Sequence, residues 1–142
     1  MSHPTYNILI ADDEPGFRSL LREWLEEKVR EKLPGTYVIY EAEDGQKAIE
    51  QAGACKASGS SLDMAVIDLR MPGKNGFQTI DELLQISPST KVMVLSAITD
   101  FFIRRLREYG TTVMPLGKPI SRKDFIEAAI KILQSGNNSN SH

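Results

Sequence analysis

Three carboxylates stand in a row where an apolar run ends. The stretch ILIADDEP, residues 8–15, carries Asp12, Asp13 and Glu14 directly after its aliphatic residues. At about 4 Å and an effective dielectric near 20, each pair of like charges costs roughly 4 kcal/mol. Such carboxylates either point apart into water or are gathered by a cation. Other chemically capable residues close other apolar runs: Asp68 in MAVIDLRMPGKNG, Ser96 in VMVLSAITD, and Lys118 in LGKP. Hard oxygen donors with no His or Cys beside them select Mg²⁺ or Mn²⁺ over Zn²⁺. Mg²⁺ is octahedral and keeps waters, which leaves positions open for a substrate phosphate. Lys118 can pair with a carboxylate at rest and with a phosphoryl oxygen later. Ser96 can donate to the same oxygen. One carboxylate, free to attack phosphorus, would become an acyl phosphate.

These groups meet only if the chain brings the ends of its apolar runs together. Short runs rich in Val and Ile predict strands over 6–10, 37–41, 63–67, 91–95 and 112–116, the composition of strands covered on both faces. Amphipathic segments lie between them. Residues 15–32 repeat Phe17, Leu20, Leu21, Trp24, Leu25 and Val29 at spacings of three and four, with Pro15 suited to a first turn and Pro34-Gly35 to a stop. A weaker helix is expected over 45–56, around Ala48, Ile49 and Ala52. Residues 75–86 carry Phe77, Ile80, Leu83 and Leu84 and end at Ser87-Pro88. Residues 100–109 carry Phe101, Ile103, Leu106 and Tyr109, with Gly110 as a C-cap. Residues 121–134 carry Phe125, Ile126, Ala129, Ile130 and Leu133 behind a Ser121 or Asp124 cap, and the polar tail SGNNSNSH, from 135 to 142, is expected to be disordered.

Alternation of strand and helix implies a parallel sheet with helices on both faces. Ligands of such sheets sit beyond the carboxyl ends of the strands; for a strand order of 2-1-3-4-5 the favoured crevice lies between strands one and three. Asp12 and Asp13 follow strand one, Asp68 strand three, Ser96 strand four and Lys118 strand five. With that order they all converge on one rim.

Composition narrows the function classes. A chain of 142 residues suits one domain around one core. A net charge of −2 argues against the global basic field of nucleic-acid binders. The single cysteine, Cys55, excludes an internal disulfide, fits a reducing compartment, and reads as a small apolar helix residue. MSHPTYN has no signal-peptide pattern, and no apolar run approaches the ~18 residues that span a bilayer. The expectation is a soluble, cytoplasmic protein without direct nucleic-acid or membrane binding.

Taken together, ADDEP, VIDLRMPGKNG, LSA and GKP closely resemble the receiver domain of two-component response regulators. Each motif alone is common; four in order, each at a strand end, are specific. The resemblance covers residues 6–134 and implies a receiver domain over 1–134. Its fold would be flavodoxin-like (CheY-like): α/β, with a five-stranded parallel sheet of order 2-1-3-4-5 and five helices on both faces. It implies that Asp68 accepts a phosphoryl group from the phosphohistidine of a sensor histidine kinase or histidine phosphotransfer protein. Asp13 would bind Mg²⁺ directly and Asp12 largely through water, with Asp68 and the backbone carbonyl of Arg70 as further ligands. Ser96 would be the switch hydroxyl, Lys118 the phosphate-binding lysine, and Ala97 the small residue that leaves the phosphoryl group room. A cis peptide is implied at Lys118-Pro119. Phosphorylation would then alter the surface of helix four, strand five and helix five, controlling a partner or output domain. Such a domain is no enzyme beyond its own phosphotransfer and autodephosphorylation.

The sequence also departs from that family. An aromatic residue commonly stands about three places before the lysine, where TTVMPLGK has Pro115 or Met114. The first helix looks about a turn longer than the family norm. The altered strand supports an alternative, a phosphate-independent protein-interaction module on the same fold. A phosphohydrolase of the haloacid dehalogenase type needs an acidic residue two places after its nucleophile, where this chain has Arg70. Other residues take simpler readings. Trp24 is a core anchor, Met64, Met71, Met93 and Met114 are packing residues, and His3 and His142 lie at the termini. Arg104, Arg105 and Arg107 form a solvated face of helix four, which the resemblance also makes part of an output surface.

Overall fold

The computed structural model describes residues 3–97 and 100–139. Five strands, β1 (Thr5–Ala11), β2 (Thr36–Ala42), β3 (Met64–Asp68), β4 (Lys91–Ser96) and β5 (Val113–Gly117), form one sheet. They run parallel in the order β2-β1-β3-β4-β5, as expected for the flavodoxin-like arrangement. Helix α1 starts as Pro15–Glu23, widens into a π-helical stretch, Trp24–Val29, and closes with Arg30–Lys32. The others are α2 (Gly45–Ala57), α3 (Gly76–Ile86), α4 (Asp100–Arg107) and α5 (Arg122–Ser139). No helix among the described residues is long and apolar enough to cross a membrane.

The period-two alternation of strand side chains divides the core into two layers. Leu9, Ala65, Ile67, Val92 and Val94 face Ala48, Ala52 and Cys55 of α2, Ile80 and Leu83 of α3, and Leu106 of α4. Ile8, Ile10, Met64, Val66, Met93 and Leu95 face Leu21, Leu25 and Val29 of α1, and Phe125, Ala129 and Leu133 of α5. Every residue of β3 is buried, because helices cover both of its faces. Full burial contributes about 1.5–3 kcal/mol for each large aliphatic side chain. These two layers therefore hold the strand ends in place.

The π-helical stretch is a departure from the periodicity reading. In an α-helix four residues turn about 40° past a full revolution, so Leu21, Leu25 and Val29 would drift off the sheet. The wider π turns rotate them back, and all three are buried, while Leu20 is 38% exposed rather than core. Helix α5 packs against this stretch, with the Trp24 and Phe125 ring centroids 5.7 Å apart. Ser121 caps α5 by accepting from Asp124 N–H. The helix continues to Ser139, past the expected end at 134. His142 and the side chain of Phe101 lie outside the described residues.

Helix α4 is tied to α3. The Tyr109 hydroxyl donates to Asp81 at 2.7 Å, and the Arg105 guanidinium stacks over the Phe77 and Tyr109 rings. Arg105 is thus turned into a contact between helices instead of standing on a solvated face, while Arg104 and Arg107 are exposed. At the other end of α3, Asn75 and Gln78 form a capping box. The loop leading there from Asp68 passes through Gly73 at φ +79°. It then brings Gly76 so close to Leu69 that a Cβ would lie 2.7 Å from the Leu69 Cα. That contact is with backbone, so it cannot be relieved by a rotamer change. Gly76→Ala is expected to destabilise the fold by about 1–3 kcal/mol, read from the urea midpoint; an unchanged midpoint would show that the loop is not wedged against α3.

Candidate functional site

The parallel register sets the site. β1 ends at Ala11 beside Ile67 of β3, and β3 ends at Asp68 beside Leu95 of β4. Ser96 ends β4 opposite Gly117, the residue before Lys118. The C-terminal rim thus gathers Asp13, Glu14, Asp68, Arg70, Ser96, Ala97 and Lys118 around a cleft of about 330 Å³. Asp12 completes the acidic group: one carboxylate oxygen from each of Asp12, Asp13 and Asp68 lies within 4.8 Å of the other two. All the residues singled out from the sequence therefore meet in one place.

Their environments differ. Asp12 is 1% exposed, Asp68 4% and Ser96 2%, whereas Asp13 is exposed. Asp68 Oδ1 accepts from Arg70 N–H at 2.9 Å, and its Oδ2 accepts from Lys118 Nζ at 3.1 Å. Asp12 Oδ1 accepts from Glu14 N–H at 2.8 Å. Asp12 Oδ2 is buried without a hydrogen-bond partner among the described residues, and Lys118 Nζ stands 3.6 Å from it. The Lys118 backbone N–H donates to the Ser96 carbonyl at 2.8 Å, and the Lys118-Pro119 peptide is cis. The Ser96 hydroxyl makes a long 3.3 Å contact to the Ala97 carbonyl, one that it can exchange for a better acceptor.

Three carboxylates share this floor with one ammonium, which leaves two negative charges uncompensated. Burial pushes the Asp12 carboxyl up to about 6, against the Glu14 N–H bond; the neighbouring Asp68 adds to the rise, and Lys118 opposes it. Burial pulls the Lys118 ammonium down, but its bond to Asp68 and the charges around it outweigh that and hold it above its ordinary value. The residues present fit one divalent cation. Asp12 Oδ2 is buried with no hydrogen bond among the described residues and shares its one ammonium, Lys118, with Asp68, so this buried charge is only partly compensated.

Sequence reading missed three supporting residues. Phe17, placed by the first turn of α1, lays its ring 5.2 Å from Lys118 Nζ. Arg18 Nη1 donates to the Asp12 carbonyl at 2.6 Å, and its Nε pairs with Glu41 at 3.1 Å. Glu41 stands in β2 opposite Ile10 of β1. Its alignment with the acidic cluster appears only once the two strands are placed in register.

The raised Asp12 value has a sign that can be tested in the metal-free protein. Unfolded, the carboxyl titrates near 3.8; folded, near 6. Ionised Asp12 therefore opposes folding fully above about pH 6, and the cost is gone below about pH 4. Asp12→Asn is expected to raise stability at pH 8 by about 2 kcal/mol, with no gain at pH 4, measured by urea unfolding in chelator. Equal stability of the two proteins at pH 8 would show that ionising the buried Asp12 carboxyl carries no such cost.

Comparison with known proteins agrees with this geometry. The family model of the response regulator receiver domain matches residues 8–130. The transcriptional regulatory protein PdtaR of Mycobacterium tuberculosis is 34% identical over 124 residues, covering 85% of this chain and 53% of that protein. An uncharacterized response regulatory protein of Vibrio cholerae is 28% identical over 137 residues, covering 94% of this chain and 47% of its own length. The chain thus spans about half the length of these curated relatives. Among solved structures, the receiver domain of the hybrid histidine kinase CckA superposes with a TM-score of 0.69 at 26% identity, over 90% of this chain and 99% of that one. The chain belongs to the response regulator receiver domain family of two-component signal transduction.

Proposed function

We propose that this receiver domain, residues 1–134, is a phosphorylation-dependent switch. Asp68 would accept the phosphoryl group from the phosphohistidine of a sensor histidine kinase or histidine phosphotransfer protein. The supporting observation is the constellation at the strand ends, above all Lys118 Nζ set 3.1 Å from Asp68 Oδ2 beside the unpartnered Asp12 Oδ2. An Asp68 oxygen attacks phosphorus, the phosphorus–nitrogen bond breaks, and the imidazole leaves with the electron pair and takes up a proton. Water later cleaves the acyl phosphate, restoring the carboxylate and releasing phosphate. No other reaction is proposed for the domain.

Asp12, Asp13, Asp68 and the Arg70 carbonyl are the groups proposed to hold Mg²⁺ or Mn²⁺. When bound, the ion would neutralise charge on the carboxylates and the incoming phosphoryl group. Lys118 would exchange its bond to Asp68 Oδ2 for a phosphoryl oxygen. Ser96 would turn from the Ala97 carbonyl toward another phosphoryl oxygen, and Ala97 leaves space there. Ser96 lies opposite Gly117, so a shift at Ser96 is felt in β5. The phosphorylated state then biases a two-state equilibrium of the α4–β5–α5 surface, and that surface would control a partner protein or an output domain in the cytoplasm. Neither membrane nor nucleic acid is proposed as a partner of this domain.

One observation favours a second reading. Pro115 is exposed and Met114 half-buried on β5, and neither is the aromatic residue that the resemblance leads one to expect about three places before the lysine. A phosphate-independent interaction module would show no change in α4 NMR shifts or partner affinity on forming its beryllofluoride complex, whereas the switch would show both.

Incubation with Mg²⁺ and acetyl phosphate, followed by intact mass, is expected to add one phosphoryl group to the wild type and none to Asp68→Asn. Equal labelling of the two proteins would refute the acceptor assignment. Lys118→Met is expected to keep Mg²⁺ binding and to lower the labelling rate by about 10²-fold, measured as the time course of the same mass shift; wild-type labelling would remove Lys118 from the reaction.

A further inference from the structure

The acidic loop is held from behind by a pair of side chains on α1 and β2. Arg18 is only 15% exposed. Its Nη1 donates to the Asp12 carbonyl oxygen at 2.6 Å, and its Nε bonds Glu41 Oε1 at 3.1 Å. Glu41 Oε2 is taken by Arg22 Nη1 at 2.6 Å, and Arg22 Nε bonds Glu26 at 2.9 Å. The guanidinium therefore cannot turn away without breaking a network that spans the first helix and the edge strand.

The Asp12 carbonyl belongs to the peptide plane that joins Asp12 to Asp13. That plane is rigid, so fixing its oxygen fixes the direction in which Asp13 leaves it. The preceding peptide is anchored as well, because Asp12 N–H donates to the Ala42 carbonyl at 3.0 Å. Asp12 is thus held through its N–H, its carbonyl and its Oδ1, and only Oδ2 is left facing the cluster. Asp13 is exposed and has no comparable anchor of its own among the described residues; its placement depends on the plane before it.

We infer that Arg18, braced by Glu41, is a positioning residue for the divalent cation site: it pins the Asp12–Asp13 peptide plane so that both carboxylates are presented together. The inference rests on the proposed Mg²⁺ site. The sign of the effect separates positioning from simple electrostatics. Arg18 is a positive charge near a cation site, so loss of its charge alone would tighten cation binding. Loss of the anchor weakens it, and removing a supporting contact of this kind costs about tenfold or more in metal affinity.

The test is a calorimetric Mg²⁺ titration of the unphosphorylated full chain in four forms: wild type, Arg18→Met, Arg18→Lys and Arg22→Met. Arg18→Met is expected to weaken Mg²⁺ binding about tenfold. Arg18→Lys can reach the carbonyl but not Glu41 at the same time, so its affinity should fall between the two. Arg22→Met loses its bonds to Glu41 and Glu26 without touching Asp12, and should bind Mg²⁺ within about twofold of wild type. Should Arg18→Met melt below the assay temperature, Arg18→Lys decides the matter, and wild-type affinity in it overturns the inference. Binding by Arg18→Met as tight as wild type or tighter, or an equal loss in Arg22→Met, overturns it too. Failure of the wild type to bind Mg²⁺ saturably would instead overturn the cation site itself, before any variant is compared.

Discussion

Everything in this molecule is arranged around an electrostatic imbalance. Asp12, Asp13 and Asp68 bring three negative charges to one floor, two of them almost fully buried, and the structure supplies one ammonium to meet them. A fold stabilised by only about 5–15 kcal/mol carries such repulsion only where the surrounding core is strong enough to impose it. The two apolar layers on either side of the sheet supply that strength. The acidic floor is therefore a held state, and its unmet negative charge fits a divalent cation.

The parallel sheet explains why these groups can be so close while coming from distant parts of the chain. Lys118 and Asp68 are 50 residues apart in sequence and 3.1 Å apart in space. Four of the five strands deliver these groups at their carboxyl ends, β1 Asp12 and Asp13, β3 Asp68, β4 Ser96 and β5 Lys118, and helices on the two faces return the chain between strands. The strands thereby fix Asp68 and Lys118 against each other. Helix α4 is joined to α3 through Tyr109, Asp81 and Arg105.

Much of this could be read from the chain directly. Asp12, Asp13, Asp68, Ser96 and Lys118 were legible because each terminates an apolar run, and strand order alone then brings them together. The Ser121 cap was legible from local chemistry, whereas Gly110 opens a short 3-10 turn after the helix has already ended at Arg107. Other features are set by tertiary contacts that no local pattern records. The π-helical stretch of α1 arises because Leu21, Leu25 and Val29 must all reach the sheet, and a four-residue spacing looks the same in either helix. Arg105 reads as solvated until the rings of Phe77 and Tyr109 are placed around it. Arg18 and Glu41 look like two surface charges until β2 is paired with β1 in register. The extension of α5 to Ser139 runs against the polar composition of that segment.

The claim on which the account stands is that the three aspartates bind a single divalent cation. Titration with Mn²⁺, followed through paramagnetic broadening of assigned backbone amides, tests it most directly. The account predicts saturable broadening at one equivalent, centred on residues 12, 13, 68 and 70 and lost in Asp13→Asn. Broadening spread over the glutamates of α1, or no saturable effect at the strand ends, would contradict it.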